Sequence, residues 1–128
     1  MQNETATRKI HIVDDDDAVR DSMRALLESL DFEVSDYNSA VDFLARLRAE
    51  STTGCLLLDL HMPVMNGLEL LEHMQANGLS LPTIVITGRG DSVLKERALK
   101  CGAMELIDKP VADDTLLGAI DRALAAGG

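Results

Sequence analysis

Five short apolar runs, each followed by a stretch whose apolar residues recur at helical spacing, constrain this chain more than any other feature. The runs are KIHIV (9–13), FEVSDY (32–37), CLLLDL (55–60), PTIVIT (82–87) and MELID (104–108). They are short, bounded by turn formers and, in several cases, rich in β-branched residues, so they read as strands. After the first run, Val19, Met23, Leu26, Leu27 and Leu30 make one apolar helical face, with Asp17 placed to cap the helix. Residues 40–49 carry Val41, Phe43, Leu44 and Leu47 behind a capping Ser39. GLELLEHMQANG (67–78) and DSVLKERALKCG (91–102) read as helices stopped by glycine, and ADDTLLGAIDRALAA (112–126) as the last helix.

Strand and helix alternating five times require helical crossovers, and these put parallel strands in one sheet with helices on both faces. CLLLDL is apolar without alternation, as suits a strand covered on both sides, whereas FEVSDY alternates like a half-buried one. The expected fold is therefore α/β: a doubly wound, flavodoxin-like (βα)5 unit with three α/β/α layers and strand order 2-1-3-4-5. A length of 128 residues suits one domain with one core. We expect that domain over residues 8–126, an extended or disordered segment over 1–7, and a terminus or the start of a linker at 127–128.

Charge and composition then exclude function classes. The net charge is −10, which opposes a nucleic-acid backbone, so no direct nucleic-acid partner is expected of this chain. With no Trp, one Tyr and two Phe, it lacks stacking platforms and the aromatic walls of a flavin carrier. No apolar run approaches the roughly 18 residues of a membrane span. MQNETATRK lacks a signal peptide's apolar core, so a cytoplasmic location without a membrane partner is expected. Cys55 and Cys101 have no metal-type spacing and read as reduced thiols. His11 and His73 read as structural or solvated, and the six Met as packing filler.

The polar residues that remain share one address. Asp14 and Asp15 follow the first strand, Asp59 lies near the end of the third, Thr87 ends the fourth and Lys109 follows the fifth. Carboxyl ends of strands hold the ligand crevice of open doubly wound sheets, at the point where strand order reverses. For order 2-1-3-4-5 that point lies between strands 1 and 3, so the three aspartates face one crevice. Clustered carboxylates make a hard-oxygen site suited to Mg²⁺, with Mn²⁺ an alternative ion. Beside it, a carboxylate can act as nucleophile toward phosphorus, while an ammonium and a hydroxyl donor meet the phosphoryl oxygens. Asp16 and Asp17 read as surface or capping residues at a helix start.

With these pieces in place the chain resembles a response-regulator receiver domain along its length, about residues 8 to 126. The matching segments are VDDDD (13–17), LLLDLHMPVMNG (56–67), VITGRGD (85–91) and DKP (108–110). HIVDDD, the AVR after it, MP.MNG and ITGRGD look most like the FixJ-like subgroup. The resemblance implies a CheY-like fold and a signalling domain rather than a conventional enzyme. It implies Asp59 as phosphoacceptor, and Mg²⁺ held by Asp15, Asp59 and the backbone carbonyl of His61, with Asp14 close by or acting through water. It implies Thr87 and Lys109 at the phosphoryl oxygens, a cis Lys109–Pro110 peptide, and Gly67 for a tight path after the third strand. It implies a phosphohistidine donor on a sensor kinase or phosphotransfer protein, and as the expected response a change in the surface of the fourth helix, fifth strand and fifth helix, for partner binding or dimerisation. Any DNA-binding effector domain belongs to a longer protein.

The chain departs from the family pattern at Leu106, where relatives usually carry Tyr or Phe, and at Val111, where many have an aromatic residue. That puts the usual aromatic switch in doubt, and assigns switching or tuning to Leu106, Gly88 and Arg89, with His61 also flanking the phosphoryl site. Three rival readings remain. Asp15-x-Asp17-x-Val19 fits the pattern of a dehalogenase-type phosphatase with Asp15 as nucleophile, a flavodoxin-like redox carrier shares the fold, and four acids suggest a calcium loop, though without the turn glycine.

Overall fold

The computed structural model of the chain describes residues 8–49, 53–88 and 92–127. Ten elements alternate: β1 (Lys9–Val13), α1 (Asp17–Ser29), β2 (Glu33–Tyr37), α2 (Ala40–Ala49), β3 (Cys55–Asp59), α3 (Gly67–Ala76), β4 (Thr83–Thr87), α4 (Ser92–Lys100), β5 (Glu105–Asp108) and α5 (Asp113–Gly127). The sheet is parallel, in the order β2-β1-β3-β4-β5. Fold class and strand order are those expected.

The continuous apolar runs resolve into two alternating sets, one for each face of the sheet. Ile10, Ile12, Cys55, Leu57, Ile84 and Ile86 pack with Leu27 of α1 and with Leu116 and Ile120 of α5. Val13, Leu56, Leu58 and Val85 pack on the opposite face with Phe43 of α2, Leu70 of α3 and Ala98 of α4. A strand buried on both faces has no polar side to reveal its period, and so β3 and β4 are buried throughout. In β1 the sole polar residue within the buried stretch is His11; its ring clusters with those of Tyr37 and Phe43 and its Nε2 hydrogen-bonds the Thr53 carbonyl at 3.0 Å.

Several expectations shift in detail. Asp16, not Asp17, caps α1: its carboxylate accepts the Ala18 and Val19 N–H groups at 2.9 and 3.2 Å. Leu30 falls beyond the last turn of α1 and is exposed, as is Val41 on the outer side of α2. Ser39 does cap α2, its Oγ accepting the Asp42 N–H at 3.2 Å. Helices α3 and α4 each end two positions before their glycines; Gly78 and Gly102 take positive φ in the turns beyond. The last helix includes Gly127. The expected N-terminal segment 1–7, Arg89 and Gly128 lie outside the described residues.

Candidate functional site

The sheet brings the predicted polar residues to one edge. Asp14 leaves β1 into the interior and is 2% exposed, and every polar group it carries is engaged. Its N–H donates to the Tyr37 carbonyl at 3.2 Å, and its own carbonyl accepts from Arg20 Nη1 at 2.8 Å. One carboxylate oxygen accepts the Asp16 N–H at 2.9 Å and the other faces Lys109 Nζ at 3.2 Å. Asp15, the next residue, is exposed at the mouth of the same edge. Asp59 ends β3 and is 6% exposed, with Lys109 Nζ 3.7 Å from its Oδ1.

Lys109 thus spans the two buried carboxylates. Its position follows from the chain path: the Lys109 N–H donates to the Thr87 carbonyl at 2.8 Å, and the Lys109–Pro110 peptide is cis. Thr87 itself is fully buried at the end of β4, paired in register with Asp108. Burial and the neighbouring Asp14 charge raise the Asp59 carboxyl above its ordinary range; Lys109 and the His61 backbone N–H pull it down without cancelling the rise. For Lys109, burial favours the neutral amine, but the charges of Asp14 and Asp59 outweigh it and hold the ammonium charged. The result is a buried carboxylate with an excess of negative charge nearby, a setting in which an added cation is welcome.

The donors fit a small hard ion. Oxygens of Asp14, Asp15 and Asp59 lie within 4.8 Å of one another. Octahedral Mg²⁺ with bonds of about 2.1 Å needs ligand oxygens separated by about 3 to 4.2 Å, so a modest closing of the three carboxylates suffices. Asp16 and Asp17 stand outside the trio: the first caps α1, and the second pairs with Arg20 at 2.6 Å from an exposed position.

The segment after β3 keeps this geometry by close packing. A Cβ on Gly67 would sit 2.4 Å from the Asp59 carbonyl oxygen, so only glycine fits where α3 starts against the end of β3. Lack of space, rather than positive φ, sets that requirement. In the same segment Val64 has φ of 69° and is almost fully exposed, a costly conformation for a β-branched residue. His61 is exposed at the rim, and Gly88 is exposed beside the Lys109 stem, where an added Cβ would make ordinary contact at 3.6 Å. Leu106 is half-buried against the core beneath α4. A groove of about 540 Å³ runs between α1 and α5, lined by Val19, Met23, Leu26, Val111 and Leu116, and reaches Lys109.

Sequence reasoning missed Arg20. Its guanidinium reaches the Asp14 carbonyl, Asp17 at 2.6 Å and Asp36 at 3.1 Å. The spacing from Asp17 was the available signal, since i and i+3 share a helix face.

A family described as "Response regulator receiver domain" matches residues 10–121. The transcriptional regulatory protein FixJ of Azorhizobium caulinodans is 40% identical over 115 residues, covering 90% of this chain and 54% of that protein. Its namesake in Rhizobium meliloti is 41% identical over 114 residues, covering 89% and 55%. The chain therefore spans about half the length of these relatives. Among solved structures, that titled "Crystal structure of FixJ-N" superposes with a TM-score of 0.85 at 40% identity, covering 91% of this chain and 93% of that one. The dehalogenase reading is not favoured: the family match is to receiver domains, and the Asp17 carboxylate is engaged by Arg20 at 2.6 Å.

Proposed function

The chain belongs to the response regulator receiver domain family of two-component systems, and on that premise we propose that it accepts a phosphoryl group on Asp59 in a divalent-ion-dependent transfer. The observation that carries this reading is the Lys109 ammonium, 3.2 Å from Asp14 and 3.7 Å from the buried Asp59. An ammonium there neutralises a phosphoryl oxygen at the moment charge arrives. A bound Mg²⁺ or Mn²⁺ supplies further positive charge to those oxygens.

The residues take the following parts. A carboxylate oxygen of Asp59 attacks phosphorus; the bond from phosphorus to the donor's imidazole nitrogen breaks, and its electron pair stays on that nitrogen. The donor is a phosphohistidine of a sensor kinase or phosphotransfer protein. Asp14, Asp15, Asp59 and the His61 carbonyl hold the ion. Thr87 and Lys109 contact the phosphoryl oxygens. The added charge biases the surface of α4, β5 and α5 between two states, one favoured for partner binding or self-association. Leu106, Gly88 and Arg89 tune that response. The relatives' name, transcriptional regulatory protein, supports transcription as the output of the full-length protein, exerted through an effector domain rather than through this acidic chain.

Incubation with Mg²⁺ and acetyl phosphate, followed by intact and peptide mass spectrometry, tests the reading. One phosphoryl group on Asp59, lost on adding EDTA beforehand and absent from Asp59→Asn, is the expected result. Modification of Asp15, or unchanged labelling of Asp59→Asn, overturns it.

A further inference from the structure

We propose that Arg20 is a positioning residue for divalent-cation binding, bracing the Asp14 corner from behind the acidic site. The inference rests on the metal-binding reading above and deepens it.

Arg20 is nearly buried, with 12% of its side chain exposed, and its three nitrogens reach three different elements of the fold. Nη1 donates to the Asp14 backbone carbonyl at 2.8 Å, at the exit of β1. Nε donates to Asp36 Oδ2 at 3.1 Å, on β2. Nη2 donates to Asp17 Oδ1 at 2.6 Å, in the first turn of α1. A planar fork with fixed donor directions can satisfy all three at once; an ammonium on a flexible stem cannot.

The Asp14 backbone is thereby held on both sides, by the Tyr37 carbonyl on its N–H and by Arg20 on its carbonyl, which belongs to the peptide linking Asp14 to Asp15. What this does for the site is entropic and geometric. Asp14 and Asp15 are adjacent in the chain, and the orientation of the peptide between them decides whether both carboxylates turn toward Asp59. Outer partners that orient ion ligands typically change affinity by about 10- to 100-fold when removed.

The sign of the effect separates this role from simple electrostatics. Arg20 is a cation close to a cluster of acids. If it acted only through its charge, its removal would leave a more negative site, which binds Mg²⁺ more tightly. A positioning role predicts the opposite. Arg24 supplies the control, because it pairs with the same Asp36 and with Glu28, but does not bond Asp14.

Isothermal titration of the chain with Mg²⁺, with a thermal melt of each protein, tests the proposal. We expect Arg20→Gln to raise the Mg²⁺ dissociation constant about tenfold, and Arg24→Gln to leave it unchanged or lower it. Arg20→Lys, which keeps the charge and is the safer variant for folding, should stay weaker than wild type. Arg20→Gln binding as tightly as wild type, or more tightly, overturns the proposal, and so does wild-type affinity in Arg20→Lys. A wild-type chain that binds no Mg²⁺ overturns the metal-site reading and this inference together, whereas normal wild-type binding with an unaffected Arg20→Gln overturns this inference alone.

Discussion

Helices α3 and α4 are neighbours on the same face of the sheet, feed the same apolar cluster and are nearly equal in length, yet they are held in different ways. Helix α3 buries Gly67, Leu68, Leu70, Leu71 and Met74. A reciprocal capping box fixes its start: Asn66 accepts the Glu69 N–H at 2.8 Å, and Glu69 accepts the Asn66 N–H at 2.9 Å. Helix α4 buries only Ala98. Among the described residues it is tied instead by two ion pairs, Lys95 to Asp108 at 2.5 Å and Arg97 to Glu72 at 3.2 Å. Burial is worth much more than exposed ion pairs, so α3 belongs to the rigid frame and α4 to the low-stability end of the molecule. The first positions the residues that follow Asp59; the second is the part that, on the proposed function, a change at the strand ends would move.

The largest expected effect comes from attacking α3. Leu70 is fully buried, and Leu70→Ala should lower the global stability by about 3 kcal/mol. Leu94 is half-buried on α4, and Leu94→Ala should cost about 1 kcal/mol. Urea denaturation gives both numbers, and amide exchange gives their locality. Helix α4 should exchange through local opening, with α3 exchanging only near the global limit. Equal costs for the two substitutions would break the comparison.

A change of charge at the site comes next. The carboxyl of Asp59 is raised by burial and by Asp14, so the folded protein holds this proton more tightly than the unfolded chain does. Stability therefore falls as pH rises from the ordinary value of 3.8 through the raised folded value, and stays lower above it. Asp59→Asn removes that penalty: without metal it should melt a few degrees above wild type at pH 7, an advantage that disappears as pH falls toward 3.8. Added Mg²⁺ should reverse the order, stabilising wild type more than the variant, which has one carboxylate fewer. Lys109 follows Asp108, the partner of Lys95, so the altered charge has a short path to α4. Exchange rates should change in α4 and not in α3; a larger change in α3 would reverse the assignment of frame and moving part.

The fold was legible because each helix and strand carries its own period, and the parallel order follows once the crossovers are helical. The shared address of the candidate site residues was legible because Asp14, Asp59, Thr87 and Lys109 each terminate or follow a strand, so the sheet brings them to one edge. What failed lay in side-chain direction. Asp16 and Asp17 are chemically the same residue type at successive positions, and only backbone geometry decides that the first caps α1 while the second pairs with Arg20. Val41 has the spacing of an inward residue but faces solvent, because the apolar stripe of α2 is satisfied by Phe43, Leu44 and Leu47. Arg20 was missed because its spacing from Asp17 signals only a helix-surface pair, while its other two partners, the Asp14 carbonyl and Asp36, become neighbours only when β1 and β2 pair.

The capping box offers a test of intermediate size. Asn66→Ala removes the acceptor for the Glu69 N–H and should cost about 1 kcal/mol in denaturant unfolding, with the slope unchanged. Its effect is confined to the start of α3, beside the segment that leaves Asp59. If α3 is frame, that loss should appear as lower global stability with no faster local exchange in the helix. Selective fraying of α3 would place it with α4.

The smallest expected effect concerns the bonds that hold α4. Lys95 is mostly covered, but Asp108 is 70% exposed, so water screens their attraction and both side chains lose freedom to make it. Lys95→Met keeps about the length of the stem and removes the charge. It should cost no more than about 0.5 kcal/mol at low salt and nothing measurable at high salt. Asp108 precedes the lysine that spans Asp14 and Asp59, so the same substitution frees that stretch of chain from α4. Stability should barely move while exchange in α4 accelerates, since global unfolding depends on buried area and local opening depends on what tethers the helix. A loss above 2 kcal/mol would mean that ionic contacts anchor α4 as firmly as burial anchors α3, and the two helices would then differ in chemistry but not in strength.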